Sequence, residues 1–209
     1  NEAWLGTYAF YVDERVLVPR SFIAELIPNF FSPWVTNPFE VENVLELCTG
    51  SGCLAIMMAD VYQNAVVDAV DISKDALAVA ERNIRDYKLE GRVNPIESDL
   101  YENVPFKKYD LIVTNPPYVN ASSMAKLPPE YLREPQIALH GGEDGMDLVR
   151  KIVAGAAERL TPEGILVVEI GNEAEYAEAA FGHLGLTWLT TSAGDDAVFL
   201  LTAEQLQAQ

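Results

Sequence analysis

From Val44 onward the chain alternates short apolar runs with longer stretches of helical periodicity, and few folds accept that order. Val44–Leu47, Val66–Val70, Arg92–Ile96, Tyr109–Thr114 and Gly164–Ile170 read as strands. Their richness in Val, Leu and Ile suits strands covered on both faces. Between them Cys53–Ala59, Lys74–Lys88 (capped by Ser73), Asp147–Arg159 and Ala174–His183 read as helices. Parallel neighbours need crossovers of this length, so the pattern implies a doubly wound, mostly parallel α/β sheet. Leu186–Thr191 and Ala197–Leu201, joined through Ser192–Asp196, read as a closing hairpin that supplies one antiparallel member and completes seven strands.

The segment before Val44 is different. Tyr8–Val18 alternates loosely and reads as a hairpin or extended arm that ends at Pro19-Arg20. Ser21 is expected to cap a helix whose apolar face holds Phe22, Ile23, Leu26 and Ile27, after which Pro28, Pro33 and Pro38 break the chain. Residues 1–38 are therefore expected to form a hairpin, helix and linker, and residues 39–209 the main domain. Asn115–Asp144 reads as one long irregular stretch, and a loop of that length in a compact domain usually has a function.

Composition removes several classes of function. No apolar run approaches the roughly 20 residues that span a bilayer. A basic segment leading into an apolar run is also absent at Asn1, so no signal peptide is expected; with no initiator Met, the sequence is expected to be part of a longer chain. The two cysteines, Cys48 and Cys53, fit neither a zinc knuckle nor a redox pair. They read as packing residues in a reducing cytoplasm, and no metal is expected. Acidic residues outnumber basic ones 32 to 14, for a net charge of −18. Such a field repels polyphosphates and attracts basic proteins, so a basic protein partner is expected, with no direct contact to nucleic acid or membrane.

In open α/β sheets ligands bind beyond the carboxyl ends of the strands. There the first strand runs into Glu46-Leu47-Cys48-Thr49-Gly50-Ser51-Gly52-Cys53. Gly50 and Gly52 let the backbone turn tightly and approach a ligand, and the next helix aims its N-terminus at it. The second strand ends in Asp71-Ile72, where a carboxylate can accept from both hydroxyls of a ribose. Gly50-x-Gly52-x-x-Ala55 also fits the dinucleotide fingerprint, which keeps a nicotinamide oxidoreductase in play. Glu46 points elsewhere: a carboxylate disfavours a pyrophosphate but tolerates the sulfonium and ammonium of S-adenosyl-L-methionine. At the end of the third strand Asp99 can accept from an adenine amino group and Leu100 can cover its ring.

Asn115-Pro116-Pro117-Tyr118 ends the fourth strand. A turn signal explains the prolines but not the residues around them. An amide or aromatic amine is a poor nucleophile because its lone pair is delocalised. The Asn115 carboxamide oxygen can accept one of its N–H groups, and a carbonyl held by the prolines, that of Pro116, the other. Together they would aim the lone pair at a sulfonium methyl. Tyr118 offers a ring face to the planar group. His140 and His183 are expected to be bystanders. These residues alone leave open a protein amide, a nucleic-acid adenine or guanine amine, and a cofactor-binding module without catalysis.

With these motifs in order, the chain resembles the protein-glutamine methyltransferases of the PrmB and HemK group. The resemblance runs from Tyr11 to about Glu173 and is carried by Arg15–Ser21, Leu45–Cys53, and Leu127-Pro128-Pro129-Glu130-Tyr131 through Glu134-Pro135 to Gly141–Gly145. Enzymes of the branch that acts on release factors usually carry Pro at the position of Ser21 and Gly at that of Cys48. These departures favour the branch that methylates a glutamine of ribosomal protein uL3. The resemblance implies a class I, Rossmann-like fold and S-adenosyl-L-methionine as methyl donor, with S-adenosyl-L-homocysteine as product. It places cofactor contacts on Cys48 to Gly52, Asp71, Asp99-Leu100 and Asn115, and glutamine contacts on Asn115 to Tyr118. It further implies an N-terminal helical domain that helps to grip the protein substrate, of which residues 1–38 would be the connecting remnant.

Overall fold

The computed structural model describes residues 1–120 and 141–208. The described residues form a seven-stranded sheet of order β5-β4-β3-β6-β7-β9-β8, with a separate two-stranded hairpin. The hairpin is β1 (Glu2–Leu5) and β2 (Tyr8–Tyr11); the sheet is β3 (Asn43–Leu47), β4 (Val66–Asp71), β5 (Val93–Glu97), β6 (Tyr109–Thr114), β7 (Leu160–Glu169), β8 (Thr187–Trp188) and β9 (Val198–Thr202). All neighbours pair in parallel except β9, which runs against both β7 and β8. The strand order reverses between β3 and β6, and that switch point is where a crevice opens at the carboxyl ends.

Helices cover both faces. On one side α2 (Cys53–Val61) is apolar almost all round, because α1 (Ile23–Leu26) and the hairpin pack over it. Ser73 caps α3 (Lys74–Asp86) as expected, accepting from Ala76 N at 3.2 Å. On the other side α4 (Asp147–Ala156), α5 (Ala174–Phe181) and α6 (Ala203–Gln207) bury Val149, Ile152, Phe181 and Leu206 against Leu45, Ile112 and Phe199.

Four expectations need correction. Of the two readings of Tyr8–Val18, the arm holds from Val12 onward, and the hairpin lies earlier, at Glu2–Tyr11, where Gly6, at φ 59°, makes the turn. Ser21 is not the cap. Phe22 holds that position, α1 is a single turn followed by a 3-10 turn at Ile27–Asn29, and the Ser21 hydroxyl is directed across the molecule to Glu169. The strand expected over Leu186–Thr191 is regular only at Thr187–Trp188, which pair with Leu200 and Phe199; beyond them Leu189 N still donates to the Val198 carbonyl at 2.9 Å, and Thr191 bridges to Gly194. Finally, α6 follows β9 through a Thr202/Gln205 capping box that the strand pattern concealed.

Candidate active site

Register decides which residues meet. Leu47 on β3 pairs with both Val70 on β4 and Thr114 on β6, and Thr114 pairs with Val168 on β7. Cys48, Asp71, Asn115 and Glu169 therefore leave four adjacent strands side by side. Above them lies a cavity of about 920 Å³, of the size that holds drug-sized ligands. Of the residues expected to touch cofactor or substrate, all but Gly52 line it.

Asp71 organises the glycine loop. One carboxylate oxygen accepts from Gly50 N at 2.8 Å and the other from Ser73 N at 2.9 Å. With about four acceptor sites in all, the carboxylate keeps capacity for a ribose hydroxyl. Burial pushes this carboxyl above its usual range, and the N–H groups of Ser73, Gly50 and Ile72 pull it back. Glu46 is more deeply buried, accepting from the Thr49 hydroxyl and from Ala55 N at 3.0 Å. Burial pushes it up to about 8, against the pull of those two donors, with Asp71 adding repulsion. Glu46 thus ties strand, loop and helix together, a structural task not anticipated for it.

Gly52 serves packing. It stands at φ 79° as the N-cap of α2, and a Cβ there would meet Ala80 Cβ of α3 at 3.1 Å. Cys48 adopts φ 60° without being glycine. Its thiol, like that of Cys53, is free and is pushed well up by burial. Leu100, also left-handed at φ 48°, is buried between the cavity and the apolar cluster beneath α4, with Leu45, Ile112 and Val149.

The tetrapeptide is held from three directions. Asn115 Nδ2 donates to the Arg20 carbonyl on the N-terminal arm at 3.4 Å. The Tyr118 ring lies against Gly171, where an added Cβ would come within 2.6 Å of Tyr118 Cε2. Gly141 N donates to the Val119 carbonyl at 3.0 Å, and Asn120 Nδ2 donates to the buried carboxylate of Glu173 at 2.8 Å.

Sequence reasoning gave an arm ending at Pro19-Arg20 but did not place its residues Arg15–Phe22 in the cavity wall, and it missed Glu169 and Glu173. A carboxylate closing an apolar strand, the signal that singled out Asp71, was also present at Glu169. His183 is exposed and away from the cavity. His140 and the Leu127–Tyr131 and Glu134-Pro135 motifs lie outside the described residues.

The reversal of strand order at β3 and β6, with β9 running against its neighbours, defines the fold class: Rossmann-like, as in class I methyltransferases. The hMettl16 catalytic domain, solved with a MAT2A 3'UTR hairpin, shares the fold at TM-score 0.68 and 14% identity, over 93% of this chain and 74% of that one. The sequence profile of the Methyltransferase small domain family matches residues 29–139. The ribosomal protein uL3 glutamine methyltransferase of Burkholderia pseudomallei is 56% identical over 215 residues, spanning 100% of this chain and 70% of the relative. Its namesake in Neisseria gonorrhoeae is 55% identical over 99% of this chain and 69% of its own length. The chain belongs to the Methyltransferase small domain family and, within it, to the ribosomal protein uL3 glutamine methyltransferases.

Proposed function

We propose that this chain transfers a methyl group from S-adenosyl-L-methionine to the side-chain amide nitrogen of a glutamine in ribosomal protein uL3. The observation that carries the reading is the placement of Asn115–Tyr118 in the wall of the cavity that Asp71 and the glycine loop also line. The residues fit the cofactor: Asp71 retains acceptor capacity for a ribose, and Ile72, Asp99 and Leu100 line the same cavity and suit an adenine. When bound, the cofactor supplies an electrophilic methyl on a sulfonium.

The chain's own residues prepare the nucleophile. Asn115 Oδ1 and the Pro116 carbonyl each accept one N–H of the glutamine amide, which fixes its plane. Pro117 holds the backbone rigid. The Tyr118 ring packs on the amide face, backed by Gly171. Bringing the amide out of water into this cavity makes each of these bonds stronger than in solvent. No side-chain base is needed, because the nitrogen becomes acidic once methylated and sheds its proton to water.

The charge of −18 favours a basic protein over a nucleic acid as partner. Among the described residues no helix is long and apolar enough to cross a membrane. Cytoplasmic location and the reading of residues 1–38 as a connection to a helical, substrate-gripping domain belong to the same proposal. Incubating the full-length enzyme with radiolabelled cofactor, uL3 and release factor in parallel tests it. Label is expected in uL3; label in the release factor alone assigns the chain to the other branch.

A further inference from the structure

We infer that Glu169 and Ser21 are positioning residues for methyl transfer: they form a clasp that fixes the N-terminal arm so that Asn115 presents its carboxamide oxygen, and not its NH₂ group, to the acceptor. The inference rests on the role proposed above for Asn115.

An Asn side chain has two nearly isosteric orientations, related by a flip that exchanges Oδ1 and Nδ2. Only one is productive here. With Oδ1 toward the acceptor, the amide N–H finds its partner; flipped, two donors face each other and the bond is lost. Something must choose between them. The Arg20 carbonyl can only accept, so its contact with Nδ2 at 3.4 Å selects the productive orientation. A contact of that length is weak alone, so the carbonyl must itself be held in place.

The clasp holds it. Glu169 ends β7 in register with Asn115: Thr114 pairs with Val168, and each of the two residues follows its pair directly. Its Oε2 accepts from the Ser21 hydroxyl at 2.5 Å and from Ile23 N at 3.3 Å. Ser21 Oγ accepts in turn from Ile23 N at 3.2 Å. The residue next to Arg20 is thus pinned to the sheet by a side chain that is 1% exposed. The far end of the arm is anchored independently, with Val12 and Val16 packed on Ala76 and Val79 of α3. Between these anchors the arm crosses the strand ends and carries the Arg20 carbonyl over Asn115. Glu169 gains nothing structural within its own strand from these bonds; both donors lie nearly 150 residues earlier in the chain.

The test compares Ser21→Ala, Glu169→Ala and Glu169→Gln with wild type and Asn115→Ala in the full-length enzyme. For Ser21→Ala and Glu169→Ala, kcat is expected to fall roughly 10- to 100-fold, the scale of small misplacements at a reacting centre, while cofactor Kd stays within about twofold. Glu169→Gln keeps an oxygen that accepts from Ser21 and Ile23 and should restore most of the rate. A purely structural role predicts a lower Tm with kcat intact and would overturn the inference; so would parallel losses in kcat and cofactor affinity, or equal rates for the Gln and Ala variants.

A second readout does not depend on turnover. The Asn115 side-chain NH₂ resonance, assigned by its loss in Asn115→Ala, should shift in Ser21→Ala and Glu169→Ala and keep close to its wild-type position in Glu169→Gln. An unmoved resonance in Ser21→Ala refutes the clasp even if transfer to uL3 fails in every sample. Failure of transfer with a moving resonance instead counts against the substrate assignment.

Discussion

Gly171→Ala is the sharpest perturbation of the acceptor site. The added Cβ would stand 2.6 Å from Tyr118 Cε2, 3.0 Å from Cζ and 3.1 Å from the hydroxyl oxygen. Carbon atoms in contact prefer ~3.5–4 Å, so the ring must retreat by about 1 Å. A misplacement of that size can cost roughly 100-fold in rate, or about 3 kcal/mol of barrier. The backbone adds a second cost, because Gly171 sits at φ 54°. A left-handed alanine loses about 1–2 kcal/mol, small against the ~5–15 kcal/mol that holds a domain folded. Gly91→Ala separates the two effects: Gly91 has φ 83° but open space around it, so it carries the backbone cost without the ring contact. Steady-state transfer, cofactor Kd and Tm should be measured for both variants. Both are expected to lose a few degrees of Tm, and only Gly171→Ala should lose kcat. Wild-type kcat in Gly171→Ala, or an equal loss in Gly91→Ala, would refute the assignment of Tyr118 to holding the amide.

The buried carboxylates make stability depend on pH. Glu46 has its folded pKa raised from 4.5 to about 8, so the folded state holds the extra proton, and stability falls as pH rises through that window by something on the order of 5 kcal/mol. Glu169, raised to about 7, contributes the same sign below pH 7. Thermal melts from pH 5 to 8 should therefore show Glu46→Gln gaining on wild type at the alkaline end; parallel melting curves would contradict this. Asp71→Ala removes both the proposed ribose acceptor and the Gly50 N–H partner, and calorimetry should show cofactor affinity lowered by at least ~10-fold, with unchanged affinity refuting the ribose role. Thr202→Ala breaks the capping box of α6 and should cost about 1 kcal/mol in denaturant unfolding without touching kcat; a change in kcat would mean that α6 reaches the site.

The sheet was legible because its signals are local. Apolar runs such as Leu111–Thr114 and Ile165–Ile170 can be little else than covered strands, and register then carries Asp71 and Asn115 to one rim. The glycine loop and the tetrapeptide were equally visible, since their chemistry is written in consecutive residues. What escaped depends on contacts between distant parts of the chain. The arm from Val12 to Phe22 alternates only loosely, and its course is set by α3 at one end and Glu169 at the other. Ser21 had the chemistry of a cap, yet its hydroxyl is used 148 residues away. Gly52 was assigned to ligand approach for lack of any sign that Ala80 would pack against it. Glu46 was placed for its charge, whereas its oxygens serve Thr49 and Ala55.

The central claim, that the amide gripped by Asn115–Tyr118 belongs to a glutamine of uL3, is tested most directly by tandem mass spectrometry of uL3. The protein should be digested after incubation with the full-length enzyme and S-adenosyl-L-methionine. A single added methyl on one glutamine side chain is predicted, absent when Asn115→Ala replaces the wild type. A methyl on another residue type, or unmodified uL3 beside a methylated release factor, would contradict it.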